Sequence, residues 1–301
     1  MKRLILCVFI IFFLTFPLQA EIGDWFVEGE LELYFEYWPA ASDVQGSLLL
    51  IHGLGGSTFS WRKISPALAE AGFNVYAVDL PAFGRSPGKE ELDLSRAGYA
   101  EKMWSFWKEQ KPAKPWYFFG HSMGGGVALQ MLAQKEDEEI AGLVLVAPAI
   151  GDREVSFWSN IFRLRPIRRL GGWIMESFFL NEDRVEETLF SAYGRAPTPE
   201  EFAAYYKPLA RPGALEFIFK MTADNLKRPA KLPEQIEEKV LLIWGEEDTW
   251  VPPPAQEELK LFSSYELQII PGGGHLIMET HWEEVIAHIS SYLGGFKNDP
   301  H

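Results

Sequence analysis

A serine between two glycines lies where the sequence changes from a strand pattern to a helix pattern. The apolar run 116–119 leads into residues 120–124, which read Gly-His-Ser-Met-Gly, and the helix pattern begins directly afterwards. A turn this tight leaves little room for side chains two residues before and two residues after the serine, and glycine occupies both positions. Such a turn projects the hydroxyl oxygen into a cleft above the start of a helix. We therefore predict that Ser122 is a nucleophile; a glycine-rich turn with an incidental serine is the alternative.

A serine hydroxyl is a weak nucleophile and needs a base that is itself held in place by an acid. The strand-like run 265–270 is followed by Pro-Gly-Gly-Gly and then His275, and the glycines form a loop that can bring the imidazole to the serine. His281 and His288 lie at or within a helical pattern near the end of the chain, where surface histidines are expected. His275 is therefore the predicted base, and His121 is expected to support the serine turn.

Three carboxylates, Glu246, Glu247 and Asp248, follow the strand-like run 240–244. A carboxylate at the C-terminal end of a parallel strand can point into the cleft of an open α/β fold. At least two of the three are expected to be solvated turn residues, and their order after the strand leaves the choice of acid open. Asp79, which follows an earlier strand-like run, is instead expected to stabilise a turn.

Acyl transfer also requires backbone N–H groups that face the oxyanion. The N–H of Met123, next to the serine, is one expected donor. The other is expected in the loop after the strand-like run 47–51, where residues 52–56 read His-Gly-Leu-Gly-Gly. Leu54 is the predicted donor, because the glycines on both sides allow the backbone to approach a substrate closely.

Short apolar runs alternate with amphipathic helix patterns along most of the chain, which is typical of a parallel sheet flanked by helices. The predicted strands are 29–38, 47–51, 73–80, 116–119, 140–147, 240–244 and 265–270. The predicted helices are 61–71, 94–107, 127–134, 255–262 and 282–293. The predicted fold class is therefore α/β, with the candidate residues at the ends of strands.

The alternation stops between residues 150 and 233, where prolines interrupt aromatic and basic segments. We predict that 21–149 and 234–301 form one core and that 150–233 is a helical lid over the C-terminal edge of the sheet, where such folds bind ligands. The lid aromatics are expected to line a pocket for an apolar acyl group, although a small core of the lid itself is the alternative. The candidates are Trp158, Phe162, Trp173, Phe178 and Tyr205.

Five segments in this order resemble the capped α/β-hydrolase superfamily over about residues 29–296. They are the His-Gly loop at 52–53, the turn 79–86, the serine turn 120–125, the Gly-x-x-Asp turn 245–248 and the Gly-Gly-Gly-His loop 272–275. The resemblance implies the α/β-hydrolase fold, a mostly parallel twisted sheet with an inserted helical lid. It also selects Asp248 as the acid, because Asp248 lies three residues after the glycine of its turn.

This superfamily includes esterases, lipases, carbon–carbon bond hydrolases, epoxide hydrolases and dehalogenases. Epoxide hydrolases and haloalkane dehalogenases have aspartate where this chain has Ser122, which argues against both activities. Enzymes that cleave aromatic ring-fission products often have asparagine before the serine, and His121 departs from that pattern. We therefore expect a carboxylic ester hydrolase that works through an acyl-enzyme. A carbon–carbon bond hydrolase with the same triad and a ligand-binding relative with little turnover are the alternatives.

Motifs for metal or nucleotide binding, such as His-Glu-x-x-His, Cys-x-x-Cys and the P-loop, do not occur in the sequence, and no cofactor is expected. The net charge of −14 argues against nucleic acid as a partner. The segment 150–233 differs from the rest of the chain, because it contains 13 Lys or Arg and 11 Asp or Glu. Its arginines 163, 165, 168 and 169 precede a Trp- and Phe-containing stretch, a pattern that can settle on an anionic lipid surface. A solvated basic face is the alternative.

The first 20 residues have the order of a secretory signal peptide, with Lys2 and Arg3, the apolar run 4–16 and Ala20 at the expected cleavage point. We expect a secreted or periplasmic protein. A membrane anchor is the alternative, although a helix of this apolar run covers about 20 Å against roughly 30 Å of hydrocarbon. The single cysteine, Cys7, lies in this segment, and no disulfide is expected in the mature chain.

Overall fold

The computed structural model describes residues 23–150, 164–178 and 180–294, with the side chain of Phe178 excluded. The predicted signal peptide, Cys7 and the pocket candidates Trp158 and Phe162 lie outside the described residues. In the part that is described, no helix combines the length and the apolar composition needed to span a membrane.

Eight strands form one mixed sheet, in the spatial order β1-β2-β4-β3-β5-β6-β7-β8. β1 pairs antiparallel with β2 and β2 antiparallel with β4, and all later neighbours are parallel. The strands are β1 (Gly23–Glu28), β2 (Leu31–Trp38), β3 (Gly46–Ile51), β4 (Phe73–Val78), β5 (Trp116–His121), β6 (Gly142–Val146), β7 (Val240–Gly245) and β8 (Tyr265–Ile270).

Helices cover both faces of the sheet, and four more form an insertion between β6 and β7. The core helices are α1 (Ile64–Glu70), α2 (Arg96–Glu109), α3 (Met123–Ala133), α8 (Gln256–Leu259), α9 (Ile277–Thr280) and α10 (Trp282–Tyr292). The inserted helices, called the lid below, are α4 (Arg165–Phe178), α5 (Glu182–Tyr193), α6 (Pro199–Leu209) and α7 (Ala214–Lys227). The fold class predicted from the sequence is confirmed.

The central strand β3 shows why the sheet has a hydrophobic core on each face. Its side chains alternate, so that Leu49 and Ile51 join the core under α2 and α3, whereas Leu48 and Leu50 join the core under α1 and α10. Every residue of β3 is buried, as expected for a parallel strand that is covered on both faces. A strand packed in this way is rigid, and its end gives a fixed position to the loop that follows it.

Two predicted elements differ from the structure. The run 29–38 was predicted as one strand, but it belongs to a hairpin in which Gly29, at φ +57°, makes the turn between β1 and β2. The helix predicted at 255–262 is limited to the single turn α8. The chain leaves that helix early because Phe262 pairs with Ile236 in an isolated parallel bridge.

Candidate active site

Ser122 lies between β5 and α3, with φ 50° and ψ −117°. A non-glycine residue rarely adopts a positive φ, and such a conformation costs of order 1–3 kcal/mol, which the surrounding structure must supply. The neighbouring glycines are required by close packing. A Cβ atom on Gly124 would lie 2.3 Å from the carbonyl oxygen of Ile51, and one on Gly120 would lie 2.5 Å from the carbonyl oxygen of Gly124. The sharp turn therefore depends on glycine at both positions.

His275 follows β8 and Asp248 follows β7, so the parallel pairing of these strands brings the two residues together. The Nδ1 atom of His275 lies 2.7 Å from Oδ2 of Asp248, and both side chains are buried. The other carboxylate oxygen, Oδ1, accepts the backbone N–H groups of Trp250 at 2.8 Å and Val251 at 3.0 Å. Because Nδ1–H donates to Asp248, Nε2 of His275 is left as the nitrogen that can accept a proton.

The lid and the core hold the His275 loop from opposite sides. The backbone N–H of His275 donates to the carbonyl of Ala192, at the end of α5, at 2.9 Å. Nε2–H of His121 donates to the carbonyl of His275 at 3.0 Å. The indole of Trp250 stacks on the imidazole of His275, with ring centroids 5.5 Å apart, and its Nε1–H donates to Oγ of Ser191 at 3.1 Å. His121, which the sequence predicted to support the serine turn, thus holds the base loop.

One peptide of the loop after β3 is fixed by two hydrogen bonds. The carbonyl of Gly53 accepts from Nδ1–H of His52 at 2.7 Å and from the N–H of Gly56 at 3.1 Å. His52 has its proton on Nδ1 because its Nε2 accepts the N–H of Leu80 at 2.9 Å. A trans peptide is planar, so its N–H, which belongs to Leu54, points away from this carbonyl. In the sequence, His52 stands out only as part of the His-Gly loop, and its role in orienting this peptide was not predicted.

Leu54 and Met123 line the same cavity as Ser122 and His275. Within the described residues, neither backbone N–H has a protein acceptor. Two unused N–H groups beside a serine on a sharp turn are the arrangement that acyl transfer requires for its oxyanion. All five residues predicted for the reaction thus lie at or beside one cavity, since Asp248 lies directly behind His275.

Asp79 is held in a turn of its own, away from the base. Its two carboxylate oxygens accept the N–H groups of Thr58 and Arg85, each at 2.6 Å. Burial raises the pKa of Asp79 to about 7, against the two backbone hydrogen bonds, which favour the charged form. The hydroxyl of Ser86 also donates to the backbone carbonyl of Asp79. These contacts agree with the turn-stabilising role that the sequence suggested.

The cavity above Ser122 has a volume of about 1020 Å³. The lid covers it mainly with aliphatic side chains and contributes Met175, Leu180, Val185, Leu189, Leu209, Leu215 and Met221. Of the five predicted pocket aromatics, Tyr205 lines the cavity, whereas Trp173 points to solvent and is not among the lining residues described. The side chain of Phe178 is not described, and Trp158 and Phe162 lie outside the described residues.

A profile of the alpha/beta hydrolase fold family matches residues 46–281, which is most of the chain. The chain belongs to the α/β-hydrolase fold family. It is 28% identical over 270 residues to the uncharacterized hydrolase YugF of Bacillus subtilis, covering 87% of this chain and 94% of that one. It is 24% identical to Lipase 3 of Moraxella sp., covering 83% and 78% of the two chains. The structure of a putative lipase from Acinetobacter baumannii superposes with a TM-score of 0.70 over 90% of each chain, at 21% identity.

A buried carboxylate, Glu279, joins the lid of this hydrolase to its core. It accepts the hydroxyl groups of Tyr193 at 2.7 Å and Tyr205 at 2.5 Å, and it forms an ion pair with Arg62. Burial raises the pKa of Glu279, whereas Arg62 and the two tyrosines lower it. Tyr205 also contacts Oγ of Ser60 at 3.2 Å, and both residues line the cavity. Sequence reasoning missed Glu279, because a single acid in a short helix pattern resembles a surface residue.

Among the residues that the structure describes, no three His, Cys, Asp or Glu side chains are grouped as the ligands of a metal ion would be.

Proposed function

We propose that this hydrolase cleaves carboxylic esters through an acyl-enzyme, with Ser122, His275 and Asp248 as its triad. The observation that carries the proposal is the 2.7 Å contact between Nδ1 of His275 and Asp248, because His275 lines the same cavity as Ser122 on its strained turn. A base that is oriented by a buried acid is what a serine needs in order to act as a nucleophile at neutral pH.

The proposed reaction has two stages. Oγ of Ser122 attacks the ester carbonyl while its proton passes to Nε2 of His275, and the N–H groups of Leu54 and Met123 stabilise the negative oxygen. His275 then gives this proton to the alcohol oxygen as the carbon–oxygen bond breaks. In the second stage a water molecule attacks the acyl-enzyme, with His275 as base again, and releases the acid and the free serine. Asp248 keeps the imidazole in the required tautomer throughout.

The side chains with which the lid lines the cavity favour a substrate that has an apolar acyl group. The lid's aliphatic side chains face the cavity, and a cavity of about 1020 Å³ is large for a short acyl group. The relatives named as lipases are consistent with an ester substrate of this kind. We therefore infer that medium-chain esters fit this cavity better than acetyl esters.

The test is a panel of p-nitrophenyl esters from acetate to decanoate, measured on the wild type and on Ser122→Ala. We expect kcat/KM to rise from acetate to the medium-chain esters. Ser122→Ala should lose more than about a thousandfold in kcat while its circular dichroism spectrum stays unchanged. A serine-directed organophosphonate should label the wild type at Ser122 and leave the variant unlabelled.

The same panel separates the two alternatives. Labelling of Ser122 without turnover of any ester, together with cleavage of a vinylogous 1,5-diketone, would indicate a carbon–carbon bond hydrolase. Labelling of Ser122 with no turnover of any ester or of the diketone would indicate a ligand-binding relative that keeps the triad. Ester turnover by Ser122→Ala above about a thousandth of the wild-type rate would contradict the proposed nucleophile.

A further inference from the structure

Helix α4 has an apolar face that points to solvent. Leu170, Trp173 and Ile174 are 57%, 60% and 38% exposed, and Leu164, just before the helix, is 59% exposed. Residues three and four apart lie on the same side of a helix, so the first three form one continuous strip. Four of the eleven large hydrophobic residues exposed in the described chain are thus concentrated in eleven residues. We call Leu164, Leu170, Trp173 and Ile174 the α4 outer face.

The inner side of α4 explains why this strip faces outward. Gly172 packs against α7 so closely that a Cβ atom would lie 2.9 Å from the backbone nitrogen of Glu216. Arg168 is buried and forms an ion pair with Glu90. The helix is therefore anchored by a glycine contact and an ion pair, and Leu170, Trp173 and Ile174 are left for another surface. Monomeric soluble proteins rarely leave such a patch uncovered.

Two arginines lie along one edge of the α4 outer face. Arg165 and Arg169 are each more than half exposed, and their nearest carboxylates, Glu90 and Glu216, are 3.7 and 3.8 Å away. The chain has a net charge of −14, so an anionic surface would repel most of the molecule. The cations beside an apolar strip make α4 the side that such a surface would attract. Arg168, one of the four arginines in the sequence cluster, is not part of this edge.

We propose that the α4 outer face binds an anionic lipid surface. The leucine and tryptophan side chains would enter the boundary between headgroups and acyl chains, and Arg165 and Arg169 would contact the lipid phosphates. Met175, on the same helix, lines the catalytic cavity, so binding would place the cavity next to the lipid. The proposal concerns a surface and does not depend on the ester chemistry proposed above.

The test is co-sedimentation of the full-length protein with vesicles at low salt. Vesicles of phosphatidylcholine mixed with phosphatidylglycerol are compared with vesicles of phosphatidylcholine alone. The wild type should sediment with the anionic vesicles. The double variant Arg165→Gln/Arg169→Gln should bind about 25-fold more weakly, since each cation near such a surface contributes about fivefold. Leu170→Ser/Trp173→Ser should lose at least about tenfold, because it removes exposed apolar area that would enter the lipid.

Matched variants on the core provide the controls. Lys63→Gln/Lys260→Gln removes the same charge from exposed core residues, and Trp25→Ser/Val27→Ser removes exposed apolar side chains from β1. Both should sediment like the wild type. All variants contain residues 1–22, so a difference in their sedimentation is due to the substitutions and not to this segment. Equal sedimentation of the α4 variants and the wild type, or none by the wild type, would overturn the proposal. So would a wild-type dimer that Trp173→Ser converts to monomer, since the face would then cover a second copy.

Discussion

His52 and His121 are both buried near the candidate nucleophile, and the two ring hydrogen bonds of His52 require a neutral ring. Burial lowers the pKa of His52 to about 4. Burial, and then the neighbouring His275, hold the pKa of His121 well below its usual range. A second proton on His52 would place N–H against the N–H of Leu80 and break that hydrogen bond. The peptide that presents Leu54 therefore depends on a histidine that resists protonation.

The depressed pKa of His52 predicts a loss of stability in acid. Its ordinary pKa is 6.5, so between pH 6.5 and about 4 the unfolded chain binds a proton that the folded chain does not. The stability from the neutral ring is fully present above pH 6.5 and falls as the pH falls towards 4. The expected decrease in the free energy of unfolding is roughly 3 kcal/mol at pH 4. Urea unfolding at a series of pH values measures it.

His52→Gln is the control for that series, because glutamine does not titrate. The variant should be less stable than the wild type at pH 7, since it loses the two ring hydrogen bonds. The difference between the two proteins should shrink as the pH falls, because only the wild type pays the cost of excluding a proton. A difference that stays constant from pH 7 to 4 would contradict the role of His52.

At the scale of elements, the segment after β7 connects the acid, the base and the lid. The backbone of Trp250 donates to Asp248, its ring stacks on His275, and its Nε1–H donates to Ser191 of α5. The stacked indole limits how far the imidazole can tilt away from its hydrogen bond with Asp248. Trp250 is therefore a positioning residue, and the lid helix α5 in turn holds Trp250.

Substitution of Trp250 should affect kcat more than KM. Trp250→Leu removes the stacking and should lower kcat about tenfold, in line with the usual strength of aromatic pairs. Trp250→Phe keeps a stacked ring and loses the hydrogen bond, so it should behave like Ser191→Ala, with a small effect. Steady-state kinetics on one ester separate these cases. A Trp250→Leu enzyme with wild-type kcat, or with a change in KM alone, would show that the stacking does not position His275.

The sequence predicted the strands and the loops that carry the chemistry because those signals are local. The apolar runs of the strands and the glycines around Ser122 and His275 reflect conformations that the backbone adopts within a few residues. The lid wall could not be predicted in this way. Val185 and Leu189 lie on an amphipathic helix, and helical spacing shows that a face is buried without showing what lies opposite it. Glu279 depends on Arg62, more than 200 residues away, and no local pattern indicates that contact.

At the scale of the whole molecule, Glu279 is a buried polar connection between lid and core, beside the contacts of Trp250 with Ser191 and of His275 with Ala192. Its partners are Arg62, which lies between β3 and α1, Tyr193 on α5 and Tyr205 on α6. The surrounding apolar contacts would allow the lid helices to slide, whereas the two tyrosine hydrogen bonds to Glu279 favour one position. Glu279 therefore helps to set the height of the lid above Ser122.

Glu279→Gln should destabilise the protein and loosen the lid. The change leaves Arg62, which is mostly buried, without its nearest charge partner, although Glu201 at 3.3 Å still compensates in part. We expect a loss of about 2–3 kcal/mol in the free energy of unfolding, below the range for a fully buried pair. Tyr193→Phe, which removes one hydrogen bond, should cost about 1 kcal/mol. Chemical unfolding measures both. Limited proteolysis of Glu279→Gln should cut the lid before the core, and an unchanged digestion pattern would show that Glu279 does not hold the lid.

The position of the lid in the chain also affects when the candidate active-site residues come together during folding. β6 and β7 pair side by side, with Leu143 opposite Val240, although the whole lid separates them. Joining them closes a loop of about 100 residues, at an entropic cost of about 4 kcal/mol before any contact offsets it. Ser122 precedes this junction, whereas Asp248 and His275 follow it. During synthesis the proposed nucleophile therefore leaves the ribosome long before the proposed acid and base. Under the proposed mechanism, the chain gains hydrolase activity only when the last strands join the sheet.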